Sequence, residues 1–300
     1  MFLFKINSVK GKIGIIRALL YYRYGEIFIN FFKNLGVSYL LSPKTDKEII
    51  DLGVKHSSSE VCLPLKVTVG HLLYLKNKVD YLFLPQFVYP YEKLYPCPKM
   101  LGLTTIALAF YPKKKLLSFK IKGNLFFPLF LTGLKLKKDP LRVILAYLRI
   151  KRKKEKKEIS FDNKHLKVAI ISHFYNLYDE AIGSVVLETF KKEGFVVYLK
   201  EDLGKEILRK KDGFSKKIKW AFERELYNAF KYYLEYVDGF CFFYSFACGP
   251  DSLIGEMMER EAKERGVPFL KIIFDEHSGR EGIVTRIEAF CEMIRRKKNL

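Results

Sequence analysis

The segment that most constrains this chain runs from Gly239 to Arg265. An apolar run, Gly239 to Phe246, stops at Ala247-Cys248-Gly249-Pro250-Asp251, and a helical pattern follows from Ser252 to Arg265. Leu253, Ile254, Met257, Met258 and Ala262 share one face of that helix. A buried strand running directly into an amphipathic helix is the repeating step of an α/β sheet. Ligands of such sheets bind beyond the carboxyl ends of the strands, where the next helix presents unpaired backbone N–H groups. Cys248 sits at that junction, where a thiolate is expected to be stabilised.

The same step recurs along the chain. Ile13 to Ile16 reads as a strand, Tyr24 to Asn34 as a helix closed by Gly36, and Val37 to Leu41 as a second strand. Thr45 is placed to cap a helix through Leu52, Leu65 to Leu75 is apolar at helical spacing, and Asp80 to Leu84 is a strand halted by Pro85. From Lys167 the order starts again: strand to Ser172, loop from Phe174 to Tyr178, helix from Glu180 to Glu193, Gly194, strand to Leu199. A helical stretch from Lys216 to Tyr236 leads to the opening segment, then come a strand from Val267 to Phe274 and a last helix from Ile283 to Arg296. This repetition predicts two related α/β lobes with mainly parallel sheets, at 1–112 and 166–300, joined by a basic segment at 113–165. Within that segment a strand is expected around Leu116 to Ile121 and a helix from Pro140 to about Lys157.

Charge and cysteine content narrow the function. The formal charge is +21, which suggests a polyanionic partner. However, Lys113 to Lys157 carries 16 Lys/Arg against two acids, so two thirds of the excess lies in one connecting segment. A solvated face of a connecting helix accounts for this pattern, which argues against nucleic acid as the partner. No apolar stretch is long enough to span a bilayer, and neither an h-region nor a cleavage site follows Met1, so a cytoplasmic protein is expected. Five cysteines in such a chain point to thiols or metal ligands rather than a disulfide framework.

The cysteines divide by setting. Cys62, Cys97 and Cys248 lie in loops beside or near prolines, and Cys62 and Cys248 directly precede helices. Cys241 falls inside a strand and Cys291 inside a helix, where a thiol behaves as a small core hydrophobe. The spacing of the three loop cysteines matches no local metal motif. Asp275-Glu276-His277, at a strand end, reads either as an acid/base or metal cluster or as a capping loop. His71 and His173 read as hydrogen-bonded structural residues. Arg286, near Glu288, reads as an ion pair. No Gly-x-x-x-x-Gly-Lys-Ser/Thr loop is present, so any ATP chemistry belongs to a partner.

Several runs together resemble a known superfamily. They are Ile13-Gly-Ile-Ile-Arg-Ala-Leu19, Phe31-Phe-Lys-Asn-Leu-Gly36, Glu60-Val-Cys-Leu-Pro64 with Gly70-His71, and Asp80-Tyr-Leu-Phe-Leu-Pro85. Ser172-His173, Tyr175-Asn176, Asp179, Ala247-Cys-Gly-Pro-Asp251, Phe274-Asp-Glu-His277 and Thr285 to Phe290 extend the likeness. The chain resembles the 2-hydroxyacyl-CoA dehydratase superfamily, in its uncharacterised branch associated with CoA-substrate-specific enzyme activases. The resemblance implies flavodoxin- or Rossmann-like lobes and a [4Fe-4S] or related iron–sulfur cluster. Carried over by motif, its ligands are Cys62, Cys97 and Cys248. It further implies a lyase (dehydratase) or reductase component that accepts electrons from a separate ATP-hydrolysing activase, with a sister subunit or a second copy as a further partner. The alternative is a non-catalytic assembly or scaffold subunit of the same system. The loops differ from those of true dehydratase subunits, so neither substrate nor CoA binding carries over.

Overall fold

The computed structural model describes residues 11–150, 159–162 and 164–299. The chain divides into two compact units, one made of Met1–Ser57 with Leu65–Lys153 and the other of Ser58–Pro64 with Lys154–Leu300. Ser58–Pro64 belongs to the unit that is remote from it in sequence.

The first unit contains β1 (Ile13–Ile15), α1 (Tyr21–Asn34), β2 (Tyr39–Leu41), α2 (Lys47–Lys55), most of α3 (Leu63–Leu75), β3 (Tyr81–Phe83) and β4 (Gln86–Tyr89). It continues with α4 (Pro98–Leu101), α5 (Leu103–Ala107), β5 (Leu116–Leu117), β6 (Lys120–Lys122), α6 (Phe126–Lys135) and α7 (Pro140–Leu148). Its main sheet has the order β2-β1-β3-β5, and β4 pairs with β6 in a two-stranded ribbon. Every one of these pairings is parallel. Residues 113–150 of the basic segment are thus built into this unit, with Leu117 registered opposite Phe83, while residues 159–162 and 164–165 belong to the second. The strand expected around 116–121 is two short strands separated by Ser118 and Phe119. The helix expected from Pro140 is capped by Asp139, whose carboxylate accepts from the Arg142 N–H, with Pro140 at its first position. Its last helical residue is Leu148, and residues 151–158 lie outside the described residues.

The second unit contains β7 (Lys167–Ser172), α8 (Phe174–Leu177), α9 (Ser184–Lys192), β8 (Val196–Leu199), α10 (Lys205–Leu208), α11 (Ala221–Tyr233), β9 (Gly239–Ser245), α12 (Gly249–Glu264), β10 (Phe269–Phe274) and α13 (Arg280–Lys297). Its sheet has the order β10-β9-β7-β8, again all parallel. In each unit the first strand lies between the second and third with a fourth outside, the flavodoxin-like arrangement. The expected pair of mainly parallel, Rossmann-like α/β sheets is what the chain forms.

Local chemistry explains why the repeat folds twice. The helix of each opening β-α-β step ends in a Schellman motif. In α1 the Gly36 N–H donates to Lys33 O and the Val37 N–H to Phe32 O; after α9 the Gly194 and Phe195 N–H groups bond Lys191 O and Phe190 O in the same way. Gly36 and Gly194 have φ of +67° and +77°, which a residue with a Cβ adopts only at a cost. The cap of α2 is Asp46, which accepts from the Ile49 N–H, because Thr45 is used elsewhere: its hydroxyl bonds His71. The core of the second unit gathers around β9, buried along its whole length, as a strand flanked by strands and covered by helices must be. Phe240, Phe242 and Phe243 are fully buried there, each contributing on the order of 2–3 kcal/mol of hydrophobic stabilisation. At Gly255 of α12 an added Cβ would lie 2.5 Å from the Phe242 ring, so that glycine sets how closely helix and strand approach.

A candidate polar site at the strand ends of the second unit

Between β7 and β9 the direction of chain crossover reverses, which opens a crevice at the carboxyl ends of these strands. Ser172 ends β7, and its hydroxyl donates to Phe243 O across to β9 (2.6 Å). His173 follows at once, and the short helix α8 begins at Phe174 where a loop was expected. From the β9 side, Ser245 ends the strand, Ala247 turns with φ +60°, and Cys248 is the N-cap residue of α12. The reversal at Ala247 lets α12 start immediately with Gly249-Pro250, and the first turn brings Asp251 back toward β7.

His173 Nε2 lies 2.8 Å from Asp251 Oδ1 and 3.9 Å from Glu223 Oε1, the latter carried by α11. All three side chains are 2% exposed or less. Burial works against an imidazolium at His173, but the charge and hydrogen bond of Asp251, with the charge of Glu223, outweigh it and raise its pKa. Burial pushes the Glu223 carboxyl up to about 7, with Asp251 adding to it and His173 opposing it. Glu223 Oε2 and His173 Nδ1 are buried without a hydrogen-bond partner. The imidazole stacks on the Tyr175 ring at 4.8 Å between centroids. Lys200, 2% exposed, sits 3.7 Å from Glu225 and 2.6 Å from Glu201.

Cys62 and Cys248 both belong to the second unit, and each directly precedes a helix, α3 and α12. The Leu63 N–H donates to Ser245 Oγ (3.1 Å), which pins the residue after Cys62 to the end of β9. The expected stabilised thiolate at Cys248 is not found. Burial, then the Asp251 carboxylate and Cys62, push its thiol up, and the helix N-terminus does not offset them. Cys97 lies in the first unit as the N-cap residue of the one-turn helix α4. Cys241 and Cys291 are fully buried and burial raises both thiols, Cys291 to about 12, in keeping with core residues.

The other candidates resolve differently. His71 is buried with Nε2 3.2 Å from Thr45 Oγ1, and burial lowers it to about 4. Asp275 accepts from the His277 N–H and the Ser278 hydroxyl, while His277 is 83% exposed, so this loop is a capping turn closed on itself. Arg286 donates to Lys271 O rather than pairing with Glu288, a residue two positions away that faces elsewhere on the helix. Glu223 and Asp251 carry no site role in the sequence reading. Asp251 was visible only as the last residue of the Cys-Gly-Pro-Asp junction.

The fold and these residues define a parallel α/β protein with a polar site at a topological switch point. Residues 12–203 match the sequence family described as the CoA enzyme activase uncharacterised domain, and the chain belongs to that family. Cys62, Cys97 and His173 fall within the matched residues, and Glu223, Cys248 and Asp251 beyond them. No curated protein matches the chain. Among the described residues, no helix is long and apolar enough to cross a membrane.

Proposed function

We propose that this protein is the iron–sulfur component of a low-potential, activase-dependent system of the 2-hydroxyacyl-CoA dehydratase type, with Cys62, Cys97 and Cys248 as cluster ligands. The observation that supports the reading is the Leu63–Ser245 hydrogen bond, which ties the residue after Cys62 to the end of β9, three residues before Cys248. Thiolates are the donors that such a cluster takes. Cys62 and Cys248 come from segments remote in sequence that are both tied to the end of β9, and a metal would supply the positive charge that the buried Cys248 thiol lacks. An iron–sulfur cluster supplies one-electron chemistry at low potential when bound. The chain's own part is to hold Cys62 and Cys248 in place through Ser245 and the first turn of α12, and to surround Cys248 with a buried, acidic environment. Membership of an activase-named family supports an ATP-hydrolysing activase as the electron donor.

The test is anaerobic production with iron and sulfide analysis. Cys248→Ala is expected to abolish the visible absorption and Cys241→Ala to leave it intact. A reconstituted wild-type chain without bound iron and sulfide would sink the reading.

A further inference from the structure

We propose that His173, Glu223 and Asp251 form a second, mononuclear site for a divalent first-row transition cation, independent of the cysteines. The three residues come from different elements: the end of β7, the first turn of α11 and the first turn of α12. Each offers one ligand atom, and these atoms all lie within 4.8 Å of one another. Metal–ligand bonds of about 2.1 Å in a tetrahedral site place ligand atoms about 3.4 Å apart, a spacing that the separations of 2.8 and 3.9 Å from His173 Nε2 bracket. One imidazole with two carboxylates suits Zn2+, Mn2+ or Fe2+ rather than a soft, thiolate-seeking ion.

A further observation points to a cation. Glu223 is 2% exposed, yet its Oε2 has no hydrogen-bond partner, an arrangement that is costly for a carboxylate unless a cation meets it. A divalent ion between His173, Glu223 and Asp251 would lie against both carboxylates at the point where the orphaned carboxylate oxygen sits.

The experiment uses the full-length chain carrying Cys62→Ser, Cys97→Ser and Cys248→Ser, so that the loop thiols can hold no metal. The protein is produced in medium supplemented with ZnCl2 or MnCl2, passed through gel filtration, and assayed for metal by mass spectrometry. About one Zn2+ or Mn2+ per chain is expected, falling at least tenfold on adding Glu223→Gln or Asp251→Asn and unchanged on adding Glu188→Gln at an exposed site. Circular dichroism of each variant checks the fold, and because either isosteric change suffices, loss of one variant leaves the other to decide. Less than a tenth of an equivalent in the serine background, or the same content in Glu223→Gln, overturns the proposal. The iron–sulfur reading is judged on the wild-type cysteines, so either can fail alone.

Discussion

His173 Nε2 and Asp251 Oδ1, 78 residues apart in sequence, are joined by a 2.8 Å hydrogen bond in the interior of the second unit. The bond ties the end of β7 to the first turn of α12, across the strand β9 that precedes that helix. Because Asp251 and Glu223 raise the His173 pKa above its unfolded value, the imidazolium contributes stability that is complete below about pH 6.5 and is lost as pH rises through the raised value. Glu223 has the same sign. Its pKa is raised to about 7, so protonation favours the folded state below the ordinary glutamate range, and that contribution fades as pH rises through about 7.

In metal-free protein these two groups predict a loss of stability between pH 5 and pH 8. Their share is on the order of a few kcal/mol, opposed by His71 in the first unit, and is read from urea unfolding of wild type and Glu223→Gln compared at the two pH values. Glu223→Gln, which resembles the protonated carboxyl, is expected to flatten part of that decrease. Asp251→Asn leaves the buried imidazole without its charge partner and is expected to cost about 3 kcal/mol at pH 6. A difference between wild type and Glu223→Gln that is the same at pH 5 and pH 8 would contradict the assignment.

His71 predicts the opposite slope in the first unit. Its pKa is lowered to about 4 by burial, so the neutral ring contributes stability present above about pH 6.5 and lost as pH falls toward 4. Between pH 7.5 and pH 5 the loss from this group amounts to about 2 kcal/mol. His71→Leu removes the titration. The difference in urea midpoint between wild type and variant is therefore expected to change with pH over that interval, and a pH-independent difference would count against the buried neutral ring.

The Leu63–Ser245 hydrogen bond links a peptide N–H to a side chain 182 positions away. Ser245→Ala leaves that buried N–H without its acceptor, at a cost of about 1–3 kcal/mol. It also releases the residue that follows Cys62 from the end of β9. If the two thiols hold a cluster, Ser245→Ala is expected to lower the iron and sulfide content of reconstituted protein more than an equally destabilising core change elsewhere, such as Ile287→Val in α13. Equal effects of the two changes would remove Ser245 from the positioning of Cys62.

What the sequence made readable, and what it did not, follows from the range of the interactions involved. Phe240 to Phe246, Gly36 and Gly194 act through their neighbours in sequence: an apolar run forms a buried strand, and a glycine after a helix takes the left-handed turn. These features, and with them the two parallel sheets, are legible locally. Glu223, Arg224 and Glu225 are not. Three consecutive charges point around a helix in three directions and carry no local signal of burial, yet all three are buried. Their partners lie on other elements, His173 for Glu223 and Lys200 for Glu225. The capture of Ser58–Pro64 by the distant unit is hidden for the same reason, since its anchor is Ser245. Thr45 shows the converse case, where a good local cap yields to Asp46 because a tertiary partner, His71, takes its hydroxyl.

Ala247 offers a test of how the junction before α12 is built. Its φ of +60° lies in the left-handed region, where a residue with a Cβ is disfavoured by roughly 1–2 kcal/mol. Glycine removes that penalty but adds unfolded-state entropy, so Ala247→Gly is expected to raise stability by about 0.5–1 kcal/mol. Ala247→Val adds a branched Cβ to the same strained turn and is expected to lower stability by more than 1 kcal/mol. The strain matters because the turn fixes where both Cys248 and Asp251 point. If Ala247→Gly stabilises the fold while lowering metal content at either site, the alanine is retained for the rigidity of the turn. If stability falls with Gly and is unchanged with Val, the left-handed geometry at residue 247 is wrong.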